Sequence, residues 1–155
     1  MTTMSQQTDR IEKQVVLRAP RSRVWRALTQ TQEFNEWFGV RLQGSFAKGA
    51  KLRGGITHPA YQHLTMEITI DQFEPEHTLA WRWHPGAAES GNAADSEMTL
   101  VVFTLEEVPE GTLLKVVETG FDRVPVSRRS LVYRQNEDGW IGQMKAIKKY
   151  VDEAR

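Results

Sequence analysis

Near the C-terminus, Trp140, Met144, Ile147 and Val151 recur at helical spacing and fall within an arc of about 60°. Lys145, Lys148, Lys149 and Asp152 gather on the opposite side. A helix with one apolar stripe gains most of its stability by laying that stripe on another element. Asn136 is expected to cap it, with Glu137 and Asp138 in the first turn, where the helix dipole favours acids. From there to Ala154 the helix would be about 28 Å long at about 1.5 Å per residue. The rest of the chain must supply the surface it lies on.

That surface reads as a β-sheet. Ile11, Val15 and Leu17 alternate with polar residues until Ala19-Pro20 stops the strand. Val24, Trp25 and Leu28 then recur at helical spacing over about 20–29, and Thr31 is placed to cap a second short helix through Trp37, closed by Gly39. Val40–Phe46 and Ala50–Ile56 read as strands flanking Ala47-Lys48-Gly49. Leu64, Met66, Ile68 and Ile70 alternate with Thr65, Glu67, Thr69 and Asp71, the period of a half-buried strand. Leu79, Trp81 and Trp83 share one face of the next. Residues 85–95 (PGAAESGNAAD) read as an exposed loop. The strands Glu97–Val108 and Thr112–Gly120 follow, joined by Pro109-Glu110-Gly111. The expected architecture is therefore α+β: a curved antiparallel sheet of six or seven strands around a long C-terminal helix, with two short helices after the first strand. Residues 1–10 are expected as a flexible tail and 11–155 as one domain.

Composition narrows the function classes. Lys plus Arg equals Asp plus Glu at 20 each in 155 residues, so no net field draws the chain to nucleic acid. The absence of cysteine removes disulfides, thiolate nucleophiles and sulfur-ligated metals. No stretch is apolar enough to insert in a membrane, and Met1–Arg10 lacks the apolar core of a signal peptide. A cytoplasmic location is expected. His58 and His63 flank a proline, which rules out a helical metal pair, so no metal and no cofactor is expected. No G-x-S-x-G elbow is present, and Gly54-Gly55 lies inside a β pattern rather than in a phosphate loop.

Five stretches are familiar in sequence order: Ala19 to Thr29 with Glu33 to Phe38, then Leu79 to Trp83, Gly111-Thr112, Glu118 to Phe121, and Gly139-Trp140. Together they resemble the heat shock protein 90 ATPase activator-like family of the START-like, Bet v 1-like helix-grip superfamily, over roughly residues 11–153. The resemblance implies the helix-grip fold. That superfamily includes lipid carriers, polyketide cyclases, hormone receptors and co-chaperones, so the fold alone does not name a role.

The candidate site follows from the side chains facing the grip. Trp37 and Phe38 end the second short helix at its expected mouth, and Trp81 and Trp83 either pack as core or line a cavity for a flat apolar ligand. Trp140 and Met144 face them from the final helix. On the last strand, alternation puts Leu114, Val116 and Glu118 inward if Lys115 faces water. An inward carboxylate is costly unless paired or protonated; it then either anchors a ligand or pairs with an arginine at an open strand end. Glu118→Gln is expected to preserve the fold and alter ligand preference. The leading expectation is non-catalytic binding of a small hydrophobic or aromatic molecule. The alternatives are a cyclase, dehydratase or hydrolase using Glu118 and Tyr133 as acid or base, and a chaperone-associated or stress-related interaction module.

Overall fold

The computed structural model describes residues 10–84 and 98–153. The chain begins with β1 (Arg10–Leu17), then α1 (Arg21–Thr29) and α2 (Thr31–Phe38). The strands β2 (Lys51–Gly55), β3 (Thr65–Glu74), β4 (Thr78–Trp83), β5 (Thr99–Val108) and β6 (Gly111–Thr119) follow, and α3 (Val126–Glu153) closes the chain. The strands form one six-stranded antiparallel sheet in the order β1-β6-β5-β4-β3-β2. The helices α1 and α2 carry the chain from one edge to the other, and the meander then returns to pair β6 with β1. A register shift between Ile70 and Gln72 bends β3. The expected α+β grip is the fold that forms.

The inward faces are set by strand alternation. Ile11, Leu17, Leu52, Ile68, Ile70, Leu79, Trp81, Val101, Phe103, Leu114 and Val116 are all buried. Against them lies the predicted stripe of α3, in which Trp140, Met144, Ile147 and Val151 are buried. Of the apolar residues at helical spacing in α1, Val24 and Leu28 are buried, while Trp25 is half-buried and meets Phe73 edge-on at 5.2 Å.

Two expectations fail, each for a local reason. The first concerns Val40–Phe46, which is not a strand but pairs with the 53–56 stretch through the isolated bridges Val40–Ile56 and Gln43–Arg53. Asn35 on α2 captures both backbone groups of Leu42, at 3.0 and 3.1 Å, and Thr31 donates to the Gly44 carbonyl rather than capping its helix. Side chains of α2 thus take the bonds a ladder would need. The backbone at Arg41 passes so close to β2 that a Cβ on Gly54 would lie 1.9 Å from its carbonyl oxygen.

The second failure is the start of α3. The helix is 28 residues long, about 42 Å at about 1.5 Å per residue, and begins ten residues before Asn136. Asn136 is therefore no N-cap, and Glu137 and Asp138 are mid-helix. Its first turns carry few apolar residues; Val132 is buried, while Val126 and Leu131 are exposed. The N-terminus is fastened instead by Arg129, which donates to the carbonyls of Asp122 and Val124 at 3.0 Å each.

The helix also seals an open sheet edge. β1 has a partner on one side only, and α3 supplies groups for the other. Tyr133 Oη donates to the Arg10 carbonyl (2.9 Å), Lys148 Nζ donates to the Val16 carbonyl (3.2 Å), and Asp152 accepts the Arg18 N–H (3.0 Å). Such cover removes the free edge that would otherwise recruit another strand.

Candidate functional site

Glu118 stands on β6 between Ile11 of β1 and Val101 of β5 and has no exposed surface. Among the described residues its carboxylate accepts hydrogen bonds from four side chains on three elements, β4, β5 and α3. Trp140 Nε1 donates to Oε1 at 2.8 Å, and Trp83 Nε1 to Oε2 at 2.9 Å. Thr99 Oγ1 donates to Oε2 at 2.5 Å, and the Asn136 amide spans both oxygens at 3.0 and 2.9 Å. All four donors are neutral. Among the described residues no lysine or arginine bonds to this carboxylate, so the arginine partner considered from the sequence is replaced by two indoles, an amide and a hydroxyl.

Local sequence explains the convergence. Trp83 and Thr99 pair across β4 and β5, two positions from Val101, which pairs with Glu118. Asn136 and Trp140 are one helical turn apart on α3, so both side chains reach the same point of the sheet. The helix and the sheet thus share one carboxylate.

Aromatic rings surround this centre. Trp83 and Trp140 lie 5.9 Å apart, and Trp140 is 5.7 Å from Phe103 and 6.2 Å from Phe38. Trp81 is 5.5 Å from Trp83 and 6.3 Å from Phe38, while Trp37 meets Phe38 at 5.4 Å. Edge-to-face and tilted arrangements at these distances are the favourable ones for ring pairs. Of the residues singled out in the sequence, Trp37, Phe38, Trp81, Trp83, Glu118 and Trp140 therefore form one connected set. Met144 is buried in the same core, one turn beyond Trp140.

Tyr133 stands apart. Its ring packs edge-on against Phe121 at 5.2 Å, and its hydroxyl is committed to the Arg10 carbonyl. Burial, followed by the charge of Glu137, pushes that hydroxyl above its ordinary value, which keeps it a donor. Among the described residues the hydrogen-bond shell of Glu118 contains no second titratable side chain, so the proposed Glu118–Tyr133 acid–base pair has no direct contact to act through. Two members of the site went unrecognised in the sequence. Thr99 shares inward parity with Val101 and Phe103, a signal already present in the strand alternation, whereas Asn136 precedes Trp140 by four residues, a signal readable only once α3 is known to start early.

Elsewhere, His58 Nδ1 accepts from the Ala60 N–H and caps a short turn at Pro59–Tyr61. Among the described residues no three acids or histidines gather as a metal site would require, and no helix is long and apolar enough to cross a membrane.

Comparison with known proteins agrees with this architecture. Residues 18–152 match the model of the family described as activator of Hsp90 ATPase homolog 1-like protein. Protein MLL2253 of Mesorhizobium loti is 23% identical with a TM-score of 0.74, over 94% of this chain and 98% of that one. The Aha1 dimer of Colwellia psychrerythraea gives 17% identity and a TM-score of 0.72, over 92% and 96%. Protein NE0264 of Nitrosomonas europaea gives 15% and 0.75, over 96% and 97%. At these identities the likeness is one of fold. Comparison with curated protein sequences gives no significant match.

Proposed function

The chain belongs to the activator of Hsp90 ATPase homolog 1-like family, and on that premise we propose that it binds a small hydrophobic or aromatic molecule between its sheet and its C-terminal helix. Folds of this superfamily commonly take such ligands in that position. The observation that carries the reading is the ring set Phe38, Trp81, Trp83, Phe103 and Trp140 gathered around a single buried carboxylate. Rigid rings present large apolar contact at small entropic cost, and one polar group suffices to orient a ligand.

Binding is favoured over acid–base catalysis because the partners of Glu118 do not titrate near neutrality. It is favoured over a docking module because the exposed large apolar residues, Val16, Tyr61, Val126, Leu131 and Ile141, are spread over β1, a turn and α3. Native mass spectrometry of protein purified gently from its own host tests the proposal. A co-purifying small molecule that dissociates on unfolding is expected, and a bare chain that also leaves tryptophan emission unmoved by a panel of aromatic compounds would refute it.

A further inference from the structure

Trp81 is the most enclosed of the tryptophans, with no exposed surface, and it stands on β4, which is paired on both sides. The N–H groups of the other buried or neighbouring indoles are accounted for. Trp37 donates to the Ala27 carbonyl at 2.8 Å, and Trp83 and Trp140 donate to Glu118. Trp81 Nε1 is buried and has no acceptor among the described residues. The other such atom, His84 Nδ1, adjoins residues outside the described part and carries no argument.

A buried N–H without an acceptor costs stability and is uncommon in folded proteins. The rings beside Trp81 are Phe34, Phe38, Trp83, Phe103 and Trp140, which offer no oxygen. The nearby carboxylate of Glu118 already accepts from four side chains. A ligand arriving here therefore meets a free donor in an aromatic setting, close to a carboxylate to which no lysine or arginine bonds among the described residues.

We propose that Trp81 Nε1 is the hydrogen-bond donor of the ligand site, and that the ligand is a flat, uncharged molecule carrying a neutral acceptor such as a carbonyl oxygen or ring nitrogen. This rests on the binding reading above and specifies its chemistry. An anionic ligand, such as a free fatty acid, is disfavoured by the charge of Glu118. Phe38 and Trp83, the half-buried ring neighbours of Trp81, are the side chains that would turn aside to admit it.

Fluorenone, fluorene and fluorenecarboxylate share one framework and differ in the acceptor and the charge, so they serve as probes. Protein labelled with nitrogen isotope at tryptophan gives one indole N–H signal per ring, and Trp81→Phe identifies that of Trp81. Fluorenone is expected to bind about 3- to 10-fold more tightly than fluorene and to move the Trp81 signal downfield, with the carboxylate weakest. Trp81→Phe should abolish the preference for fluorenone over fluorene, since the lost ring contact weakens both probes alike while the lost donor affects fluorenone alone. Equal binding of fluorenone and fluorene would overturn the proposal while leaving the binding site intact. A Trp81 proton already bonded to water or to a ring face in the free protein would overturn it as well. If none of the three probes perturbs any indole, the binding reading fails with it.

Discussion

Glu118→Gln is nearly isosteric, yet the structure makes it costly. The carboxylate offers two acceptor oxygens to Trp83, Thr99, Asn136 and Trp140. Glutamine offers one oxygen and one amide that only donates. With the oxygen toward Trp140, the amide faces the Trp83 N–H; turned over, it faces Trp140 instead. Thr99 can rotate to accept and Asn136 can flip, but an indole can do neither. One indole donor therefore loses its acceptor in either pose. Bonds to charged groups contribute about 1.5–3 kcal/mol each, and relief of burying an uncompensated charge offsets part of that. Trp83 is half-buried and can turn to water, so it is expected to be the loser, with a net cost of about 2 kcal/mol. Urea unfolding followed by tryptophan emission measures it. The fold survives, as the sequence led us to expect, but at reduced stability. A double-mutant cycle isolates the cause: Trp83→Phe should be less damaging in the Glu118→Gln background than in the wild type. Strict additivity, or a loss below about 0.5 kcal/mol, would refute the argument.

Three further outcomes follow from the same structure. Trp140→Ala removes a buried ring and both its contacts and its bond to Glu118, so unfolding should show a loss of about 3–5 kcal/mol or more; a change under about 1 kcal/mol would contradict the burial. Gly54→Ala would place a Cβ 1.9 Å from the Arg41 carbonyl oxygen, so a loss of about 1–3 kcal/mol is expected, and a neutral effect by the same assay would show that the 40–43 segment is free to move. At Glu33, burial acts to raise the carboxyl, but bonds from Arg23 and Tyr150 and the charges of Arg23 and Arg26 outweigh it and hold the group below its ordinary 4.5. Its contribution is thus complete above the unfolded-state range and is lost as pH falls through the lower folded value, so wild type should lose stability more steeply than Glu33→Gln between about pH 5 and 3; parallel curves would contradict it.

The parts of this molecule legible in the sequence are those governed by a simple period. Alternation put Leu114, Val116 and Glu118 inward, and the helical arc put Trp140, Met144, Ile147 and Val151 on the sheet. The parts that were not legible depend on side chains acting at a distance. Asn35 removes Leu42 from a ladder that β-propensity alone would allow. Asn136 looked like a cap because asparagine competes with the backbone in isolated helices, whereas here its amide is spent on a residue 18 positions away. Tyr133 was grouped with Glu118 because both face the grip, but the edge of β1 claims its hydroxyl.

The placement of Glu118 also bears on why the grip closes in one way. The apolar stripe of α3 would tolerate small rotations or slips along the sheet, since dispersion contacts are non-directional. Asn136 and Trp140 reach the same carboxylate from successive turns, and a slip of one residue would swing each of them about 100° away. Both bonds would then break together and leave Oε1 of the buried carboxylate without a donor, with only Trp83 and Thr99 still bonded to Oε2 among the described residues. Met144, Ile147 and Val151 supply the burial, while Glu118 selects the single register in which that burial is available. Because the helix is held at Glu118 by neutral donors, raising salt should leave that contact unchanged, whereas the Lys13–Glu137 pair between β1 and the helix and the exposed pairs Arg10–Glu12 and Lys115–Glu12 should weaken. Denaturation midpoints at low and high salt that differ little in wild type, and equally little in Glu12→Gln, would agree with a register set by the buried carboxylate; a large salt-dependent loss of α3 protection in hydrogen exchange would point instead to surface charge.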